Sequence, residues 1–413
     1  MLKKISNLSS ILLGKSIQKI SQLRGGGSAL PGLVIEKINP KFIKATLSGL
    51  PHGVVVISGT NGKTTTTKIV TELLRSQGLR VFTNDTGSNF VRGVISSIIS
   101  TVTITGHFNY DIAVLELDEA HSRKFAAVAP ISYALLLNVS EDQLDRFGST
   151  KNVANLLSNL ARHAKLSVIT NREDELLSKI THANLHYFGL APKLRTTFLT
   201  EDQASQKPSP KTAEVILQKF DHDTATFKIG HHTIATPLKL KGAFNAFNAA
   251  AALTLVKTIF PDSDDHALMQ ALAHIDSAVG RGEVVKYRGH PLELILVKNP
   301  ASFQLSIASF ADSSHDYMIA LNNHVADGQD ISWLRKVNYS AFKTVQVCTG
   351  ECAIRATSYL KEDKVKVLAT EPNLKKALDL FVQNSRHPQR IFANYTALFE
   401  LRKLIKNTSL WLG

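Results

Sequence analysis

A buried strand, a glycine-bearing turn and a helix follow one another between Val54 and Thr67, and this stretch constrains the fold more than any other part of the chain. The β-branched apolar residues 54–57 predict a short buried strand. A turn with two glycines follows, then Lys63 and Thr64, and residues 68–74 have a helical pattern. This order is typical of a phosphate-binding loop, in which backbone N–H groups and the positive end of a helix hold phosphate oxygens.

The residue types in this turn predict how it would hold a nucleotide. Lys63 would reach the β- and γ-phosphates, and the Thr64 hydroxyl would bind Mg²⁺. The loop is shorter than the common form, because Ile57 stands where the first glycine of that form would be. An ordinary strand–turn–helix corner with a solvated lysine is the alternative. The predicted nucleotide-binding residues are Gly59, Thr60, Asn61, Gly62, Lys63, Thr64 and Thr65.

Length and composition indicate a globular protein of two or three domains. The chain has 413 residues, of which 44% are hydrophobic and 20% charged. Its net charge of +14 favours anionic partners such as a nucleotide, a nucleic acid or an anionic membrane surface. We find no arginine-rich tract and no basic stripe with interleaved aromatic residues, so nucleic acid is not expected. Cys348 and Cys352 are the only cysteines, which excludes a disulfide framework and a four-cysteine zinc site.

The first 24 residues combine basic side chains with an apolar helical pattern. The longest apolar run, residues 11–13, is too short for a signal-peptide core, and no run approaches the roughly 18 residues that span a bilayer. Such a basic amphipathic helix either packs on its own protein or touches an anionic membrane. The glycine-rich residues 25–28 predict a flexible break after it.

Short apolar runs alternate with helical stretches along the rest of the chain. This alternation predicts an α/β fold with a mainly parallel sheet covered on both faces, and ligands collect at the carboxyl ends of such strands. A second, smaller Rossmann-like α/β domain is expected at the C terminus. Strands are predicted at residues 54–57, 80–83, 112–117, 132–138 and 167–170 in the first sheet, and at 292–297, 317–321, 344–348, 365–369 and 390–393 in the second.

The third predicted strand ends in an acidic segment, residues 116–119. Alternation along the strand would place Glu116 and Asp118 on one face. A carboxylate near the γ-phosphate can hold the metal that offsets negative charge during phosphoryl transfer. A solvated acidic strand end is the alternative.

The shortened phosphate loop resembles that of the Mur ligase superfamily, whose members join a carboxylate to an amine with ATP. Residues 83–93 resemble the segment after the second strand in the MurT subfamily, the ATP-using subunits that amidate the D-glutamate of lipid II. Further similar segments are residues 138–148, 170–174, 241–251, 279–283, 298–303, 322–334 and 394–398.

The resemblance implies further roles for individual residues. Glu116 would bind magnesium, and Asn245 and Asn248 would approach adenine. Arg281 would swing onto the phosphates as an arginine finger, or form an interdomain salt bridge with Glu283.

The resemblance also implies a group of residues in substrate binding or in coupling to a partner subunit. Gln143 stands where many Mur ligases have a metal-binding histidine. The amide oxygen of a glutamine is an acceptable ligand for Mg²⁺. Alternatively, the aspartates of residues 138–148 cap the helix that follows them. The group consists of Asn89, Asp142, Asp327 and Asp330.

Three departures from the MurT pattern stand out. The polar residues 192–236 contain no cysteine, so the zinc ribbon common in the subfamily is absent and no zinc is expected. Ser302 replaces a glycine. Arg335 and Lys336 stand where an aromatic–aspartate pair is usual, which puts coupling to the glutaminase partner GatD in doubt.

Taken together, the sequence predicts an ATP- and Mg²⁺-dependent ligase. The resemblance implies that it phosphorylates the D-glutamate carboxyl of lipid II, that ammonia from a GatD-like subunit attacks the acyl phosphate, and that the protein is cytoplasmic, at or near the membrane. The alternatives are a Mur-like ligase that adds an amino acid to another carboxylate, and a non-catalytic nucleotide-binding paralogue. The expected division is an arm and linker (1–39), a central ATP-binding domain (40–280) and a C-terminal domain (281–413).

Overall fold

The computed structural model describes most of the chain. It leaves out residues 1, 24–28, 85–89, 141–148, 200–208, 222, 277–280, 328–330 and 410–413, and it also leaves out the side chains of residues 2–6, 23, 281 and 407–409. Two sheets organise the described residues, and each is flanked by helices.

The first sheet has nine strands in the order β2-β3-β1-β4-β5-β6-β7-β8-β9. Neighbours are parallel from β2 to β7, and β8 and β9 continue the sheet as antiparallel strands. The strands are β1 Val54–Ser58, β2 Val81–Thr83, β3 Ile112–Glu116, β4 Tyr133–Leu136, β5 Ser167–Asn171, β6 Leu185–Leu190, β7 Val215–Asp221, β8 Thr224–Ile229 and β9 His232–Pro237.

The second sheet has six strands in the order β10-β11-β15-β12-β13-β14. Only the edge pair β10 and β11 is antiparallel; β11, β15, β12, β13 and β14 pair in parallel. The strands are β10 Arg281–Tyr287, β11 His290–Leu296, β12 Asp316–Ala320, β13 Thr344–Thr349, β14 Lys366–Glu371 and β15 Gln389–Ala393.

Helices cover both sheets and form an N-terminal layer. In chain order they are α1 Leu2–Leu23, α2 Leu30–Ile38, α3 Phe42–Leu47, α4 Lys63–Ser76, α5 Val91–Thr101, α6 Glu119–Val128, α7 Thr150–His163, the single turn α8 Arg195–Phe198, α9 Ala243–Ile259, α10 Asp265–Ala273, α11 Pro300–Phe310, α12 Ala353–Glu362, α13 Leu374–Asn384 and α14 Tyr395–Ser409. Short 3₁₀ turns lie at Leu177–Lys179, Pro192–Leu194, Val325–Asp327 and Ser332–Lys336. No helix of the described residues is long and apolar enough to cross a membrane.

The central strands of the first sheet are fully buried because helices pack on both faces. All five residues of β1 are buried, which is the pattern of a parallel strand covered on both sides. One core packs α4 and the alanine-rich α9 against one face, and a second core packs α5 and α7 against the other. The expected α/β fold with two sheets is confirmed.

The strand ends and the polar region differ from the sequence expectation. β3 ends at Glu116, so Asp118 does not share a strand face with Glu116; it is the N-cap of α6 and accepts a hydrogen bond from Ala120 N–H at 3.0 Å. Most of the described part of residues 192–236 forms β7, β8 and β9, which lengthen the sheet. Cys348 and Cys352 are buried and form no disulfide.

Candidate active site at the carboxyl edge of the first sheet

The loop between β1 and α4 depends on two glycines. Gly59 has φ +137° and Gly62 has φ +88°, a region that side chains with a Cβ adopt only with strain. A Cβ on Gly62 would also lie 2.5 Å from the Oδ1 atom of Asn248 in α9. Both glycines are therefore required for the backbone path and for the close approach of α9.

The segment after β4 holds the first half of this loop. The Asn138 carbonyl accepts from Thr60 N–H at 2.9 Å, and its side-chain oxygen accepts from Asn61 N–H at 2.9 Å. Ser140 N–H donates to the Thr60 hydroxyl at 3.1 Å, and the Asn61 amide donates to the Ser140 hydroxyl at 2.9 Å. These bonds fix the loop on the sheet before any ligand is present.

The second half of the loop leaves its backbone donors available. Among the described residues, nothing accepts from the N–H groups of Gly62, Lys63, Thr64 and Thr65. They form the first turn of α4, where the positive end of the helix dipole lies. Four convergent N–H groups at a helix N terminus make a site for phosphate oxygens. The Thr65 side chain is buried, so Thr65 contributes through its backbone.

Thr64 and Glu116 meet at the mouth of the loop. The Thr64 hydroxyl donates to Glu116 Oε1 at 3.1 Å. Asn84, at the end of β2, fixes the backbone of Glu116 by accepting from its N–H and donating to its carbonyl, both at 2.9 Å. A hydroxyl and a carboxylate side by side at the end of a strand are hard oxygen ligands of the kind that Mg²⁺ takes, with the remaining positions left to water and phosphate.

Lys63 is held inside the loop by a carboxylate that the sequence analysis did not assign. Its Nζ donates to the carbonyl of Gly59 at 2.5 Å and lies 3.2 Å from Glu119 Oε2. Burial by itself lowers the pKa of Lys63, but the carboxylates of Glu119, Glu116 and Asp118 outweigh it and hold the pKa above its usual value. The amine is thus a fixed positive charge beside the free N–H groups.

An apolar wall with a few polar groups continues the cavity away from the loop. Phe198, Phe244 and Phe247 line it, together with Asn248 and the turn after β5. Asn245 is fully buried and is absent from the lining; its Oδ1 accepts from Asn248 at 3.3 Å, so it positions Asn248. The wall has the size and chemistry of a flat heteroaromatic site, with Asn248 rather than Asn245 facing the cavity.

The second sheet supplies the opposite side of the same cavity. Asn299 donates to Asn61 Oδ1 at 3.1 Å, which joins α11 directly to the phosphate loop. Asn299 and Ser302 form a capping box at the start of α11, with Ser302 N–H donating to Asn299 Oδ1 at 2.9 Å. Ser302, one of the departures from the subfamily, thus replaces glycine with a helix cap.

The remaining predicted residues fall in different places. Asn89, Asp142 and Asp330 lie outside the described residues. The backbone of Arg281 begins β10, but its side chain is not described. Asp327 lies at the carboxyl edge of the second sheet, where it accepts from the backbone N–H of Thr396 at 2.9 Å and so fixes the start of α14.

Three site residues were not assigned from the sequence, although each lies in a segment that the sequence analysis singled out. Glu119 could have been suspected from the acidic run at residues 116–119, but its contact with Lys63 depends on how α6 begins. Asn138 is the first residue of the segment 138–148, in which only the aspartates and Gln143 were considered as functional residues. The contact of Asn299 joins residues 238 positions apart in the chain.

Comparison with known proteins agrees with this arrangement. Residues 57–256 match the Mur ligase middle domain, and residues 296–398 match the MurT ligase C-terminal domain. The chain is 25% identical to the MurT subunit of lipid II isoglutaminyl synthase (glutamine-hydrolyzing) from Staphylococcus aureus strain COL, over 89% of this chain and 91% of that one. It is also 25% identical to the MurT subunit from Streptococcus pneumoniae, over 96% of each chain.

Solved structures share the fold at low sequence identity. MurF ligase from Thermotoga maritima in complex with ADP superposes with a TM-score of 0.69 at 16% identity, covering 93% of this chain and 85% of that one. A pseudomurein peptide ligase type C from Methanothermus fervidus gives a TM-score of 0.68 at 16% identity, covering 87% and 79%.

Proposed function

We propose that this chain, which is an ATP-dependent carbon–nitrogen ligase of the Mur family in peptidoglycan synthesis, amidates the D-glutamate α-carboxyl of lipid II with ammonia from a glutaminase partner. The match of its C-terminal residues to the MurT ligase C-terminal domain favours this over the addition of an amino acid. We further propose the division into an arm (1–39), a central domain (40–280) and a C-terminal domain (281–413), and a cytoplasmic location.

One observation carries the proposal. The Thr64–Glu116 contact, the charged amine of Lys63 and four backbone N–H groups without an acceptor in the described part of the chain converge at one edge of the first sheet. The second sheet faces them across a shared cavity. This is the arrangement needed to bring a triphosphate from one domain to an acceptor on the other.

The residues at the loop fit ATP and Mg²⁺. The free N–H groups of residues 62–65 suit phosphate oxygens, and the apolar wall beside Asn248 suits adenine. Thr64 and Glu116 would hold the magnesium ion, which neutralises charge on the β- and γ-phosphates when bound. Arg281 is proposed as a further charge on the phosphates, supplied from the start of β10.

The chemistry proposed for this cavity has two steps. A carboxylate oxygen of the acceptor attacks the γ-phosphorus of ATP, the bond to the β-phosphate oxygen breaks, and ADP leaves. Ammonia then attacks the acyl carbon, phosphate departs with the former carboxylate oxygen, and a proton is lost to solvent. Phosphorylation is required because a free carboxylate repels nucleophiles and has no leaving group. Lys63 and the N–H groups stabilise charge on the transferring phosphoryl group without moving a proton.

The relatives support a partner subunit. Both are named as the MurT subunit of a glutamine-hydrolyzing synthase, so a GatD-like glutaminase is the proposed source of ammonia. Arg335 and Lys336 lie exposed on the 3₁₀ turn Ser332–Lys336, and the Arg335 guanidinium lies 5.1 Å from the ring of Tyr359. Free ammonia does not need delivery by a glutaminase, so it should serve as the nucleophile whether or not this chain keeps the coupling of the subfamily.

The test uses the purified full chain with lipid II, ATP, Mg²⁺ and ¹⁵N-labelled ammonium. We expect ¹⁵N in the amide of D-isoglutamine by mass spectrometry. Lys63→Met should lower the rate by about 10³-fold. Arg75→Ala, which removes an exposed ion pair with Glu72 at the far end of the same helix, should leave the rate unchanged.

Three outcomes would overturn parts of the proposal. Incorporation of an amino acid but not of ammonia would identify an amino-acid-adding ligase. ATP binding without any product would identify a nucleotide-binding paralogue. Equal rates in the wild type and Lys63→Met would remove the assigned site.

A further inference from the structure

Helix α1 has its small residues inside and its large apolar residues outside. The buried positions Ser10, Gly14 and Ser21 lie on one helical face, together with Ile11. The opposite side exposes four large apolar residues by 39–51%: Leu8, Leu12, Leu13 and Ile20. An ordinary amphipathic helix has the reverse arrangement, so the outer face of α1 is not explained by packing on its own protein.

The small inner residues allow α1 to lie close to α5 and α2. A Cβ on Gly14 would lie 2.8 Å from the Cδ1 atom of Ile99. Lys15 Nζ donates to the carbonyl of Ile99 at 2.9 Å, and the Asn39 amide donates to Ser10 Oγ at 3.1 Å. The helix is therefore attached to the body of the molecule with a defined orientation, and its outer face points away from that body.

An exposed apolar residue in the loop after α5 extends this face. Ile104 is 65% exposed in the loop after α5. Gly106 of the same loop lies beside α1, because a Cβ on it would be 3.9 Å from Leu8 Cδ1. The exposed surface thus reaches beyond the helix itself.

The N-terminal segment that carries this face is strongly basic. Residues 1–50 contain eight Lys and Arg residues and one acidic residue, Glu36, so they carry +7 of the chain's net charge of +14. Lys19 is exposed on α1 within the apolar face. Large apolar side chains beside an exposed lysine, within a segment rich in basic residues, match an anionic lipid surface: the apolar side chains enter the headgroup region and the lysine meets phosphate.

We propose that the outer face of α1, formed by Leu8, Leu12, Leu13, Lys19 and Ile20, docks the protein on an anionic lipid bilayer. A second copy of the chain is disfavoured as the occupant, because two such faces would bring like charges together. The docked orientation presents the N-terminal layer to the membrane, together with α5, which packs between this layer and one face of the first sheet.

The experiment is cosedimentation of the full chain with vesicles of phosphatidylcholine alone or with phosphatidylglycerol, without nucleotide or lipid II. We expect binding only to the anionic vesicles, and weaker binding at high salt. Leu12→Asp with Leu13→Asp should weaken binding by at least about tenfold, and Lys19→Gln by about fivefold. The control is Val325→Asp with Ile354→Asp, which changes residues that are 78% and 75% exposed on the C-terminal domain.

Either of two results would overturn the docking proposal. One is equal binding of the wild type and the Leu12/Leu13 variant, with both folded by thermal unfolding. The other is a wild-type protein that does not bind vesicles. This includes the case in which the wild type is a dimer and the Leu12/Leu13 variant is a monomer, because the face would then bind a second copy of the chain. Because no nucleotide or acceptor is present, either result leaves the ligase proposal intact.

Discussion

Lys63 shows how single residues prepare the loop for a triphosphate. Its amine is already engaged by the Gly59 carbonyl and by Glu119, a carboxylate that is 4% exposed. A lysine in this state is ordered before the nucleotide arrives, which lowers the entropy lost on binding. Glu119 acts through Lys63 and is therefore a positioning residue.

The ion pair predicts a measurable coupling between the two side chains. Lys63→Met leaves the buried Glu119 carboxylate without its partner, and Glu119→Gln leaves the amine without its nearest carboxylate. Each single variant should lose stability, and the double variant should lose less than the sum. We expect a coupling free energy of about 1–3 kcal/mol from urea unfolding.

The matched control cycle uses the exposed pair Glu175 and Lys179, which lie 2.7 Å apart on the surface. Little coupling is expected there, because solvent screens exposed charges. A coupling near zero for Lys63 and Glu119 as well would mean that the amine is not held as described.

At the residue scale, the sequence predicted those parts of the site that one short motif contains. Lys63, Thr64 and Glu116 follow strands and keep fixed relations to them, so their meeting was predictable. The position of Glu119 was not, because it follows from Asp118 capping α6 instead of continuing β3. Such a choice depends on where the strand leaves the sheet, which local pattern does not determine.

Helix α11 links the two sheets at the scale of a secondary-structure element. Its capping box fixes Asn299, and Asn299 in turn donates to Asn61 of the phosphate loop. Helix α13 offers a comparison, because Asn373 caps it by accepting from Lys376 N–H at 3.0 Å. Only one of the two caps contacts the loop.

This pair of caps separates a stability effect from a site effect. Asn299→Ala and Asn373→Ala should each lower the free energy of unfolding by about 1 kcal/mol, because each removes an N-cap. Only Asn299→Ala should also raise the KM for ATP, since the Asn61 side chain loses its partner across the cavity. Equal KM values in both variants would show that the contact has no role in nucleotide binding.

Elements were predicted where buried apolar runs mark them. The predicted strands of both sheets agree with β1 to β5 and β11 to β15 within one or two residues, because most of these strands are buried, continuous apolar runs. The parallel β6 and the edge strand β10 were not predicted, and the antiparallel β7, β8 and β9 were missed as well. These last three lie at the edge of the sheet and alternate exposed and buried residues, so polar composition hid them.

At the scale of the whole molecule, one buried carboxylate connects the two sheets and the helices that pack on them. Glu293 in β11 is 7% exposed and accepts from Lys241 Nζ at 2.8 Å and from Arg390 Nε at 2.6 Å. Lys241 lies just before α9, which packs on the first sheet, whereas Arg390 lies in β15 of the second sheet. Burial raises the pKa of Glu293, but its two cationic partners outweigh burial and lower the pKa below its usual value.

This shift predicts a pH dependence of stability. A carboxyl whose pKa is lowered on folding stabilises the protein above its unfolded pKa, and this stabilisation is lost as pH falls through the folded pKa. Glu293→Gln should therefore unfold more easily than the wild type at pH 7, by about 1–3 kcal/mol. The two proteins should converge as the pH falls below 4.5, the ordinary value for this group.

Denaturant unfolding over a pH series measures the difference. Glu175→Gln is the control, and it should stay close to the wild type at every pH, because solvent screens the exposed pair with Lys179 that lowers the pKa of Glu175. A stability gap that stays constant down to acidic pH would contradict the assigned charge pairing. This junction between the two sheets could not be predicted from the sequence, because the partners lie 52 and 97 positions from Glu293.

The central claim is that the loop at residues 62–65 and Glu116 together bind magnesium-bound ATP. Calorimetric titration of ATP, with and without Mg²⁺, into the wild type and Glu116→Gln tests it most directly. We expect Mg²⁺ to tighten ATP binding by at least about tenfold in the wild type and to have little effect in Glu116→Gln. The same Mg²⁺ dependence in both proteins, or no ATP binding by the wild type, would contradict the claim.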